Sequence, residues 1–199
     1  IDTEEDSNGM VNIINIFDGT RHTTWVRPAK MKDLDLFRHE VWNWLYTRAK
    51  VKWVKGSHRK RSKMPDRLKR RNLTLWACNA EYDLINLFGG QWLGKMTTLQ
   101  YVSSGLLRAT SVDRHITWLD TLRHWPMSVE QMGGYLGLAK LAADFHSVEY
   151  CRRDTEIVWR FVDEMLTRYD KLGLVLKATL PSMALQLFKT KFFKKEFVG

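Results

Sequence analysis

The chain has 199 residues, 44% of them hydrophobic and 27% charged, the make-up of one ordinary globular domain able to close a sizeable core. No apolar run approaches the roughly 20 residues that cross a bilayer, and two cysteines, Cys78 and Cys151, make neither a disulfide framework nor a zinc site, so a reducing, intracellular setting without a membrane partner is expected. This make-up excludes secreted toxins, collagens, coiled coils and disordered tails, while Lys and Arg, 32 against 22 Asp and Glu, give a charge of +10 that points to a polyanion partner.

The chain opens on Ile1-Asp-Thr-Glu with no initiator Met, as expected of a piece of a longer protein. Asp2 and Glu4 lie two apart on an expected strand, so both carboxylates face one side. Residues 11–17 (VNIINIF) and 22–26 read as paired strands joined by an Asp18-Gly19 turn. Residues 33–49 carry Leu34, Phe37, Val41, Trp44 and Leu45 at helical spacing behind an acidic first turn. The stretch 50–71 then holds eleven Lys or Arg against Asp66 alone, so it carries the whole net charge of the chain. Such a block fits nucleic acid, and Arg59, Lys60, Arg61, Lys69, Arg70 and Arg71 are its expected phosphate contacts.

Residues 73–78 (LTLWAC) form a short apolar run typical of a buried strand, followed by a helix over 79–88 that Gly89-Gly90 ends. Three more strands are expected at 96–102, 106–110 and 115–119. A short helix near 128–136 precedes a long one over 147–172, expected to bury Val148, Cys151, Ile157, Val158, Phe161, Val162 and Met165. A last helix is expected over 181–197. Strands first, then helices interleaved with strands, predict an α/β fold with a mixed sheet flanked by helices.

Beside Asp2-x-Glu4, two further acidic spacings stand out: Asn79-x-x-x-Asp83, where a strand hands over to a helix, and Tyr150-x-x-x-Asp154, on one face of the long helix. Four carboxylates from three segments would repel one another unless a cation gathers them. Hard divalent ions take oxygen ligands, and two of them about 4 Å apart can clamp the attacking and leaving oxygens of a phosphodiester.

In order and setting, these three patterns resemble the exonuclease motifs of the DEDD superfamily, in the tyrosine form found in proofreading domains of family B DNA polymerases. The histidine form would need His at position 149, which is Glu149. WLDTLRHW (118–125) resembles the Ser/Thr-Leu motif of protein-primed members, and LGLAK (136–140) resembles the segment that supplies their catalytic lysine. The run 176–193 is similar to the helix that leads into their polymerase domain.

The resemblance implies an RNase H-like domain over 1–177 with a basic insertion at 50–71, and a helix over 178–199 leading toward a polymerase domain. It implies catalytic roles for Asp2, Glu4, Asp83, Tyr150, Asp154 and Lys140, with the four acids holding two Mg²⁺ or Mn²⁺ ions. Asn79, Tyr82, Thr121 and Leu122 would grip the 3′ end of single-stranded DNA frayed from a primer-template, and a terminal protein is a possible further partner. The rival readings are an RNA-degrading DEDD exonuclease and a catalytically silent nucleic-acid-binding domain.

Overall fold

The computed structural model describes residues 1–29, 31, 33–49, 72–102, 105–142, 147–177 and 179–193. The basic stretch 50–71, with all six of its expected phosphate contacts, lies outside them. The described residues form a mixed α/β architecture.

β1 (Asp2–Glu5), β2 (Val11–Phe17) and β3 (His22–Val26) make an antiparallel sheet in that order. A bulge sets Glu4 opposite Ile13 but Glu5 opposite Val11, leaving Asn12 as the extra residue. The extra residue changes the parity of β2, so Val11 shares the core face with Ile14 and Ile16. The expected turn follows β2: Asp18 accepts backbone N–H bonds from Thr20 and Arg21, both at 3.1 Å. Gly19 is required there, because its φ is +94° and an added Cβ would stand 2.3 Å from the Trp159 ring.

α1 (Leu34–Arg48) starts at Asp33, whose side chain accepts from the Asp35 and Leu36 N–H groups. Its buried face is Phe37, Val41, Trp42, Leu45 and Tyr46, turned from the expected one so that Trp42 replaces the half-buried Trp44. Trp42 stacks on Trp118 at 5.8 Å and meets the edges of Phe88 and Trp92 at 4.9 and 5.1 Å. That aromatic cluster draws the helix round by one position.

A four-stranded mixed sheet runs β4 (Leu73–Ala77), β7 (Ile116–Asp120), β6 (Gly105–Ser111), β5 (Thr97–Val102). β4 and β7 are parallel, and the other pairs antiparallel. The two sheets meet where the Ile1 nitrogen donates to the Trp76 carbonyl at 2.8 Å.

α2 (Ala80–Phe88) and α3 (Gly90–Met96) follow β4. Gly89 ends α2 as expected, yet its carbonyl also accepts the Leu93 N–H and so starts α3, a helix the glycine pair had hidden. α4 (Thr121–His124) is a single turn after β7. α5 (Val129–Leu136) begins at a reciprocal Ser128–Gln131 capping box.

α6 (Val148–Lys171) buries Cys151, Ile157, Val158, Phe161 and Val162 as expected, whereas Val148 and Met165 are only half-buried. α7 (Leu180–Lys191) stops short of the expected 197; its C-cap is Phe192, and 194–199 lie outside the described residues.

One apolar cluster packs α1, α2 and α3 against both sheets. A second packs α5 and α6 with Trp76, on the face of β4 opposite Leu75 and Ala77. Helices thus flank the sheet on both faces. Among the described residues no helix is long and apolar enough to cross a membrane.

Candidate active site

Three elements bring the three acidic patterns together. β1 supplies Asp2 and Glu4, whose carboxylate oxygens lie within 4.8 Å of one another. α2 turns Asp83 inward, where its Oδ1 accepts the Thr3 hydroxyl at 2.7 Å. α6 presents Tyr150 and Asp154 one turn apart, both about 5% exposed. Lys140 completes the group: its Nζ lies 2.9 Å from Asp154 Oδ2 and 5.0 Å from the centre of the Tyr150 ring.

The electrostatics follow from gathering acids in a dry place. Burial, then the charge of Asp154, pushes Asp2 up to about 6. Burial and neighbouring Asp2 push Glu4 up to about 8. Asp83 is held well above its ordinary value by burial and by Asp2. Burial also raises Asp154, against the opposing pull of Lys140. Burial would lower the Lys140 ammonium, but Tyr150 and Asp154 outweigh it and hold the group above its usual range.

Carboxylate oxygens are the donors a hard divalent cation takes, and among the described residues Asp2, Glu4 and Cys151 are the group whose potential ligand atoms all lie within 4.8 Å of one another. Asp2 Oδ2 and Asp154 Oδ1 are buried without a protein hydrogen-bond partner, and Asp2, Glu4 and Asp83 carry the repulsion of neighbouring acids that a cation would relieve. The Cys151 sulfur also lies close, its potential ligand atom within 4.8 Å of those of Asp2 and Glu4. Burial and Asp2 push its thiol far up, so it stays protonated and is a poor ligand for such an ion.

The expected strand-gripping residues sit where β4 and β7 end side by side, Ala77 opposite Asp120. Open crevices for ligands form at the carboxyl ends of parallel strands. Asn79 is exposed in a left-handed conformation, φ 70° and ψ 57°, and its side chain makes no cap bond to α2. Tyr82, on the first turn of α2, is 42% exposed, while Leu122 is half-buried and Thr121 fully buried. Trp125 belongs to the core beneath.

Thr3, Cys151 and Asp120 are members that sequence reasoning did not assign to the site. Asp120 is 1% exposed, and its Oδ1 accepts the Asn79 N–H at 3.2 Å and the Leu122 N–H at 2.9 Å. Its signal was its place as the last strand residue before a helical turn, the setting of an N-cap. A cavity of about 480 Å³ bordered by Ile16, Phe17, Trp44, Trp76 and Trp159 contains none of the four acids. The chain matches no protein-family model, no curated protein and no solved structure.

Proposed function

We propose that this chain is a metal-dependent 3′–5′ exonuclease acting on single-stranded DNA ends, an RNase H-like DEDD domain of the tyrosine type. The convergence of Asp2, Glu4, Asp83 and Asp154 from β1, α2 and α6 into one buried cluster, with Tyr150 and Lys140 against Asp154, carries this reading. The four acids would hold two Mg²⁺ or Mn²⁺ ions, which when bound activate water and stabilise charge on the reacting oxygens. Water adds to the terminal phosphorus, the bond to the 3′ oxygen breaks, and a nucleoside 5′-monophosphate leaves behind a new 3′ hydroxyl.

The chain's own groups orient that reaction. Tyr150 aligns the water as a hydrogen-bonding phenol; burial raises it further above its ordinary value near 10, so it is no base at neutral pH. Lys140 balances charge at Asp154. Asn79 and Tyr82 take the terminal nucleotides together with Leu122 and Thr121, and an exposed aromatic such as Tyr82 suits stacking on any base. In a longer protein the domain would proofread for a family B polymerase, with the basic stretch 50–71 on the primer-template and a terminal protein as a further partner.

The test is release of 3′-terminal nucleotides from labelled single-stranded DNA in Mg²⁺ or Mn²⁺, with RNA in parallel. Asp2→Ala, Glu4→Ala, Asp83→Ala and Asp154→Ala should each lower turnover by roughly a hundredfold or more, and Tyr150→Phe by less. The double change Asp2→Ala with Asp154→Ala should do little more than the worse single, since the acids act as one unit. Wild-type turnover in Asp154→Ala would remove the metal assignment, and preference for RNA would move the reading to an RNA exonuclease.

A further inference from the structure

We propose that Asp120 is a positioning residue for the strand-gripping site, a role that rests on the exonuclease reading above: its buried carboxylate holds the Asn79 and Leu122 segments in register. An ordinary helix start commits the N-cap side chain to its own helix. Asn79 stands at the N-cap of α2 but makes no such bond. Asp120, 41 residues away, supplies the acceptor instead: its Oδ1 takes the Asn79 N–H at 3.2 Å, and the Ala80 N–H also faces the carboxylate. The same oxygen takes the Leu122 N–H at 2.9 Å and so caps α4. One buried carboxylate therefore ties together the two strand ends from which both expected DNA-contacting segments emerge.

The arrangement has a local energetic signature. A left-handed backbone is unfavourable for a non-glycine residue, though least so for Asn, and glycine would remove that cost. Asn79 keeps the strained conformation while its side chain stays exposed and unused by the helix. An amide with two donors and an acceptor, standing beside exposed Tyr82, is suited to the terminal base or sugar of a single strand. Asp120 thus lets Asn79 face the nucleic acid instead of its own backbone. Arg123 extends the frame: it lies 3.9 Å from Asp120 Oδ2, and its Nε donates to the Leu106 carbonyl of β6 at 3.2 Å.

The experiment measures kcat and KM for 3′-nucleotide release from oligo-dT in Mg²⁺, together with oligo-dT affinity by fluorescence anisotropy in metal-free buffer. Asp120→Ala should raise KM and Kd roughly tenfold, about the worth of one buried hydrogen bond to a charged group, with kcat little changed. Asp120→Asn keeps an oxygen acceptor and should recover most of that loss. Asn79→Gly keeps the backbone bond to Asp120 and relieves the strain, so it should raise KM while the melting temperature holds or rises; it decides the matter if Asp120→Ala fails to fold. Unchanged KM and Kd in either Asp120→Ala or Asn79→Gly, or a loss confined to kcat, overturns the proposal. A wild-type chain that binds oligo-dT without cleaving it refutes the exonuclease reading and leaves Asp120 to be judged on Kd. A wild-type chain that does not bind refutes both.

Discussion

Asp154 stands between two opposed influences. Burial favours its neutral form, and the Lys140 ammonium at 2.9 Å favours its carboxylate. Removing the ammonium while keeping the bulk, as in Lys140→Met, leaves burial unopposed and raises the Asp154 pKa. The acid limb of the pH–rate profile should then move to higher pH by about one unit, so the variant loses more activity near pH 6 than near pH 8. Profiles that run parallel would separate Lys140 from the ionisation of Asp154. Asp2, Glu4, Asp83 and Asp154 were legible because a spacing of two on a strand, or four on a helix, fixes which side chains share a face. Thr3 was not, since its bond to Asp83 spans 80 positions and follows no local period. Asp120 offers a local sign, its N-cap place before the turn at Leu122, but its bond to the Asn79 N–H crosses a parallel strand pair and follows no local period.

Helices with strong ends were read almost to the residue. Asp33, Ser128 and Ser147 each accept from the first turn of their helix, and α1, α5 and α6 begin directly after them. Ser128→Ala should dismantle the capping box of α5 and cost about 1 kcal/mol, lowering the melting temperature by about 2–4 °C. A melting curve unchanged from wild type would show that α5 is held by its packing on α6 alone. The elements that went unread were short. α3 has seven residues and α4 four, too few for a hydrophobic period to register. The expected end of α7 at 197 rests on a basic and aromatic tail of helical-looking composition, whereas the chain leaves the helix after Lys191. The bulge in β2 was equally hidden, since VNIINIF reads as a plain apolar strand and only the pairing with β1 singles out Asn12.

Two groups of titrating residues pull the stability of the molecule in opposite directions. The buried acids hold protons that the unfolded chain, with carboxyls near 4, has released, Asp2 up to about 6 and Glu4 up to about 8. Their contribution is fully present below about pH 4 and is lost as pH rises through 6 to 8. Burial lowers His124 to about 4, beneath its unfolded value near 6.5, so its contribution is lost as pH falls through that window. Its Nε2 contacts the Lys177 carbonyl at 2.6 Å, and its Nδ1 is buried without a partner.

Because several acids outweigh one imidazole, metal-free protein should melt higher near pH 5 than near pH 8. Mg²⁺ at a hundredfold excess over its Kd should restore about 2.7 kcal/mol near pH 8 and far less near pH 5. Equal metal effects at both pH values would detach the cation from these carboxylates. On the proposed reading the basic stretch 50–71 contacts DNA. Replacing Arg59, Lys60, Arg61, Lys69, Arg70 and Arg71 by Ser should weaken DNA binding of any sequence and flatten its salt dependence by about 0.7 per lost phosphate contact. An unchanged slope would assign the stretch another partner. Because Asp2 and Cys151 meet across 149 positions, the acids stand together only after the long helix α6 has docked on the first strand. A chain still emerging from the ribosome therefore lacks the assembled site, and if the proposed exonuclease reading holds, nucleotide release would report the docking of α6 on β1.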